Sequence, residues 1–114
     1  NIIKNKINYC IVTNSSMETI NIYKKKIPLI DKLENFISRN DYNNAKPSSE
    51  CFKLAIKKYY NNEKYIIGFE NSICGLKALE DITNIIYFIT YKEYIFYEQV
   101  KNKDIFLINN FKDL

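Results

Sequence analysis

Three polar clusters in this chain carry residue types that could handle a phosphoryl group: Thr13-Asn14-Ser15, Lys46-Pro47 and Glu70-Asn71-Ser72. A hydroxyl can hydrogen-bond phosphoryl oxygens, an ammonium can neutralise their charge, and a carboxylate can hold a divalent cation through hard oxygen ligands. Converging at one sheet edge, the three would make a place for a phosphoryl group and a cation. Thr13 to Ser15 and Glu70 to Ser72, taken singly, are also what an ordinary helix cap looks like, so the constellation carries the chemistry and no one member does. Other chemistries are excluded. The chain has no His and no Cys-x-x-Cys, so a tetrahedral zinc site lacks ligands and Ser-His or Cys-His catalysis cannot be assembled within it.

The elements that must position these clusters can be read from apolar pattern. Tyr9-Cys10-Ile11-Val12 is a short run of β-formers closed by Thr13-Asn14-Ser15-Ser16, which suits a buried strand ending at a helix cap. A helix is expected over 17–26, ended by Pro28, then a weaker strand at Phe36-Ile37 and a loop over 39–49. Over 48–60 Cys51, Phe52, Leu54, Ala55, Ile56 and Tyr59 recur at helical spacing, with Ser48 or Ser49 as cap, Glu50 in the first turn and Asn61-Asn62 as the break. The solid apolar run Tyr65-Ile66-Ile67-Gly68-Phe69 predicts a strand covered on both faces. A helix over about 73–81 and strands at 85–89 and 105–108 follow, with a helix or loop over 91–103. Alternation of this kind predicts a parallel α/β sheet with helices on both faces, and ligands bind beyond the carboxyl ends of such strands. Both polar turns sit there, at helix starts whose free amides favour anions.

Composition narrows the class. With 114 residues, 46% apolar and 26% charged, the chain is at most one domain with a core of its own, and no apolar run is long enough to span a bilayer. Cys10, Cys51 and Cys74 are odd in number and lie inside apolar patterns, as expected of free thiols in a reducing cytoplasm. The net charge of +4 comes with a Lys, Asn, Ile and Tyr richness typical of AT-rich coding sequence. The clusters Lys24-Lys25-Lys26 and Lys57-Lys58 fall on solvated helix faces, so neither nucleic acid nor membrane is expected as a partner. The first residues carry no apolar leader and no initiating Met.

Ile11-Val12-Thr13-Asn14-Ser15, Lys46-Pro47-Ser48-Ser49-Glu50 and Gly68-Phe69-Glu70-Asn71-Ser72-Ile73-Cys74-Gly75-Leu76-Lys77-Ala78 resemble, in order and spacing, the second, third and fourth motifs of haloacid dehalogenase (HAD)-like hydrolases. The nearest pattern is the group containing β-phosphoglucomutase and small sugar-phosphate phosphatases. The tail, from Lys103 to Leu114, resembles that group's last strand and the start of its terminal helix, so the resemblance covers nearly the whole chain. It implies a partial Rossmann-like (HAD-like) parallel sheet flanked by helices, with residues 1–114 as the C-terminal part of the core. It also implies Thr13 and Lys46 as catalytic residues. Thr13, Asn14 (through its amide) and Lys46 would hold the phosphoryl group, and Glu70 and Asn71 would hold Mg²⁺. Gly75 would serve close helix packing.

Two departures accompany the resemblance. Asn71 stands where family members usually have Asp, which removes a charge from the cation site. The Asp-x-Asp of the first motif, which supplies nucleophile and general acid, is absent, and so are its strand and the substrate-choosing cap. The chain is therefore expected to be a fragment or truncated relative of a Mg²⁺-dependent phosphatase or phosphomutase acting on a small phosphorylated metabolite through an aspartyl-phosphate, inactive alone, with the missing N-terminal portion as a further partner. The rival expectation is a degenerate, non-catalytic binding or interaction module. The Tyr9 and Tyr65 strands should share one sheet, paired directly or flanking a gap; helices there, or separate sheets, would refute the family assignment.

Overall fold

A computed structural model describes residues 7–60, 65–89 and 105–108. The described chain divides into two compact units, one of residues 7–45 and 50–60, the other of residues 46–49, 65–89 and 105–108.

In the first unit β1 (Ile11–Val12) pairs in parallel with β2 (Phe36–Ile37), Ile11 opposite Phe36 and Val12 opposite Ile37. The helix α1 (Met17–Lys26) connects them and has the boundaries expected from its signals. Ser16 caps it by accepting from the Thr19 amide at 3.2 Å, and Lys24, Lys25 and Lys26 sit in the last turn, where the helix dipole favours cations. Pro28 opens the short α2 (Pro28–Asp31). α3 (Glu50–Tyr59) packs on β1 and β2, and its Cys51 and Ala55 join Ile37 and Tyr42 in a core flanked by Cys10, Val12, Phe52, Leu54 and Tyr59. β1 is shorter than its apolar run because Tyr9 is bonded otherwise. Its carbonyl accepts from Asn35 Nδ2 at 3.0 Å, and its hydroxyl accepts from the Glu34 amide at 3.2 Å.

The second unit holds β3 (Ile67–Glu70), β4 (Ile85–Ile89) and β5 (Ile105–Ile108), all parallel and in that order. α4 (Ile73–Glu80) covers one face with Leu76, Ala78 and Leu79, each buried. Burying a leucine side chain contributes about 1.5 to 3 kcal/mol. Gly68 lets this helix approach closely, since a methyl there would stand 2.7 Å from Leu79 Cδ1.

The expectation that the Tyr65 run is covered on both faces is corrected. The strand begins at Ile67, and Ile67 and Phe69 remain 55% and 43% exposed. Their face carries a ladder of stacked rings, Phe69 on Tyr87 at 5.2 Å and Tyr87 on Phe106 at 5.0 Å between centroids, set by the strand register. A continuous apolar run cannot show that one of its two faces is left open. A short 3₁₀ turn, Arg39–Asp41, also lies inside the predicted loop.

All described pairings are parallel, so the chain is α/β with small parallel sheets. β1 and β3 lie in separate hydrogen-bonded sheets and do not pair directly with one another. The expected Asn61-Asn62 break, the 91–103 segment and the terminal helix start at 109–114 lie outside the described residues. Among the described residues, no helix is long and apolar enough to cross a membrane.

Candidate functional site

Glu70 is the last residue of β3, and the chain turns through Asn71 and Ser72 into α4. Its side chain folds back over the start of that helix. Oε2 accepts from the Asn71 amide at 3.1 Å, the Ser72 amide at 3.3 Å and the Ser72 hydroxyl at 3.1 Å. Ser72 in turn caps the helix by accepting from the Gly75 amide at 3.1 Å. A carboxylate at this end of a helix is stabilised by the dipole and by amides that no helical carbonyl can reach.

Oε1 of the same carboxylate is bonded to Lys46 Nζ, 24 positions away in sequence. The two side chains are only 8% and 9% exposed, so this is a buried ion pair. Lys46 belongs to the segment 46–49 of the second unit and enters Pro47 through a cis peptide bond. Gly75 is required by this arrangement, because a methyl at that position would overlap the Glu70 carboxylate. A glycine read from sequence as a packing residue thus packs against the candidate site itself.

Thr13 and Asn14 belong to the first unit, at the carboxyl end of β1. The Thr13 amide continues the ladder to the Ile37 carbonyl at 3.0 Å, and its hydroxyl accepts from the Ser15 amide at 3.0 Å. Accepting leaves the hydroxyl proton for another partner. The Tyr42 hydroxyl lies 2.9 Å from the Thr13 carbonyl and 2.5 Å from Asn14 Oδ1, and so pins the turn. Burial pushes the Tyr42 phenol above its ordinary value, with Cys51 raising it further and Arg39 acting against. Tyr42 escaped the sequence reading because it sits in a polar stretch taken as loop; a lone large aromatic there was the available signal.

The structure therefore brings Lys46, Glu70 and Asn71 together, while Thr13 and Asn14 make their contacts within the other unit. As placed, the group of Lys46, Glu70 and Asn71 does not fit Mg²⁺. A hard cation wants several oxygen ligands with lone pairs to give. The Glu70 oxygens already accept from an ammonium, two amides and a hydroxyl, about the full capacity of a carboxylate. Among the described residues no three His, Cys, Asp or Glu side chains gather closely enough to hold a metal ion. What the arrangement can do is hold a cationic head against a sheet edge, with its charge compensated until an anion competes for it.

Compared with family models, curated proteins and solved structures, the chain matches none.

Proposed function

We propose that this chain carries the phosphate-facing part of a HAD-like core, from the lineage of Mg²⁺-dependent phosphatases and phosphomutases that act on small phosphorylated metabolites, and that alone it binds phosphate without turnover. The observation that supports this reading is the buried Lys46–Glu70 pair, since the motif spacing required these two residues to meet at the end of a parallel strand. In this reading Lys46 neutralises phosphoryl oxygens and Glu70 holds Lys46 until the anion arrives, while Thr13 and the Asn14 amide, in the other unit, offer hydrogen bonds to phosphoryl oxygens. The partners are the metabolite and the missing N-terminal portion, not nucleic acid or membrane, and the compartment is the cytoplasm, in keeping with three free cysteines.

A second reading, a non-catalytic module, is favoured by the saturation of the Glu70 carboxylate.

The test is calorimetric titration of the 114-residue chain with inorganic phosphate, alongside an assay with Mg²⁺ and an aryl phosphate. Weak binding that Lys46→Ala removes, with no hydrolysis, is the expected result. Turnover lost in Lys46→Ala would show a nucleophile within this chain and end the reading of an incomplete core. Absence of phosphate binding would leave the non-catalytic module as the better account.

A further inference from the structure

The group that holds Lys46 is itself an anion, and its surroundings are those a small free anion would need. The Glu70 carboxylate accepts from the Asn71 amide at 3.1 Å, the Ser72 amide at 3.3 Å and the Ser72 hydroxyl at 3.1 Å, and the Lys46 ammonium takes its other oxygen. All of these groups belong to the second unit. Two features go beyond capping α4, which Ser72 already does through the Gly75 amide. The ammonium is kept under cover, although an exposed lysine would balance a capping carboxylate as well. The space is also cut for its occupant: a methyl at Gly75 would overlap the Glu70 carboxylate, so the missing side chain of Gly75 is the room that the carboxylate fills.

We infer that the Lys46 ammonium, the Asn71 and Ser72 amides, the Ser72 hydroxyl and the gap at Gly75 form a cradle for one phosphate-sized oxyanion, and that Glu70 is its resident competitor: an outside anion binds by taking the place of the Glu70 carboxylate. This rests on the reading of Lys46 as a phosphate ligand, and it fixes the direction in which Glu70 acts. A residue that supports a site weakens binding when it is lost, whereas a competitor strengthens it. A rival tethered to the neighbouring backbone acts at a high effective concentration, so the native chain binds free anions weakly. Apparent affinity is that of the open cradle reduced to the fraction of molecules in which Glu70 has swung out. The exchange leaves no stranded charge, because the departing carboxylate passes into water and the buried ammonium finds its new partner in the incoming anion.

The experiment titrates inorganic phosphate into the native 114-residue chain and into Glu70→Gln, Glu70→Ala, Glu70→Ala combined with Gly75→Ala, Lys46→Ala and Glu18→Gln, with the amide resonances of Asn71 and Ser72 followed in parallel. Glu70→Gln and Glu70→Ala are each expected to bind roughly tenfold more tightly than the native chain, the size set by giving up a bond to a charged group, and phosphate should shift both resonances. The methyl of Gly75→Ala refills the vacated space and should cancel the gain of Glu70→Ala. Glu18, an acid in the first turn of α1, controls for removing one negative charge elsewhere, and its variant should bind as the native chain does. If the native chain binds phosphate, Lys46→Ala does not, and the Glu70 variants bind no more tightly than the native chain, the competitor role is overturned and the phosphate reading stands. Binding by the Glu70 variants with none by the native chain upholds the cradle and ends the phosphate reading of the native chain. If no chain binds, or Lys46→Ala binds as the native chain does, both fall. A gain that survives Gly75→Ala places the anion elsewhere and overturns the cradle. Should Glu70→Ala fail to fold, Glu70→Gln and the two resonances carry the decision, because glutamine keeps the size of the side chain and removes its charge.

Discussion

After β1 the chain turns into α1 through Thr13-Asn14-Ser15-Ser16, and after β3 it turns into α4 through Asn71 and Ser72; both turns end on a serine cap, at 3.2 Å and 3.1 Å. Around the first turn the partners among the described residues are neutral. Tyr42 holds Thr13 and Asn14, and Asn40 Oδ1 accepts the Met17 amide at 2.9 Å. Around the second, a buried carboxylate supplies the acceptor and a buried ammonium balances it. Neutral groups can be lost one at a time at modest cost, whereas a buried charge depends on its partner remaining. The second turn is the more fragile and the more reactive of the two.

The largest effects should therefore come from breaking the pair. Glu70→Ala, which strands Lys46, is expected to cost roughly 3 to 5 kcal/mol in urea unfolding, while the joint change Lys46→Met with Glu70→Leu should cost far less. Gly75→Ala should cost less, about 1 to 3 kcal/mol, as the Glu70 carboxylate shifts aside. If the single and joint changes cost the same, the pair is not coupled and the contrast between the turns disappears.

Next in size is Tyr42→Phe. It keeps the buried ring but leaves the Thr13 carbonyl and Asn14 Oδ1 without their hydroxyl, for an expected loss of about 1 to 2 kcal/mol. Its alkaline behaviour has a definite sign. With the phenol raised in the folded chain, stability is full below the ordinary value of 10.0 and falls as pH rises past it. Tyr42→Phe should remove that part of the alkaline decline in unfolding curves.

The elements of this contrast were unequally legible. Ser16, Lys24 to Lys26 and Pro28 are local signals, and they mark α1 to the residue; β2, β4 and β5 likewise follow their apolar runs. Local pattern does not say which face of a strand is covered, so β3 was taken as doubly buried while Phe69 and Phe106 stand open. The meeting of Lys46 and Glu70 was expected from motif order. The saturation of Glu70 by Asn71 and Ser72, and the grip of Arg39 and Glu50 on the loop, were not, because hydrogen bonds between backbone and side chain leave no periodic trace in sequence.

A smaller effect tests the similarity rather than the difference. Ser16→Ala and Ser72→Ala each remove one cap bond and should each cost about 1 kcal/mol. Ser72 also donates to Glu70, so its variant should exceed Ser16→Ala if the second turn is the charged one. Equal losses would mean that Glu70 is held well enough by Lys46 and the two amides.

The smallest effect comes from a third strand end, where a charge is present but exposed. After β2, Asp41 Oδ2 accepts from the Ser38 amide at 2.7 Å and the Ser38 hydroxyl at 2.8 Å, on a carboxylate open to water. The Ser38 amide, chiefly, and its hydroxyl hold this carboxyl below its ordinary value of 3.8. Folding thus favours the ionised form, and the contribution is whole above that value and lost as pH falls through the lowered one. Solvent screens the group, so the loss should be well under the cost of Glu70→Ala. Asp41→Asn should lower stability slightly at neutral pH and flatten the unfolding profile below about pH 4. A change as large as that of Glu70→Ala would show that exposure does not separate the two carboxylates, and the distinction between the turns would then have to rest on Lys46 alone.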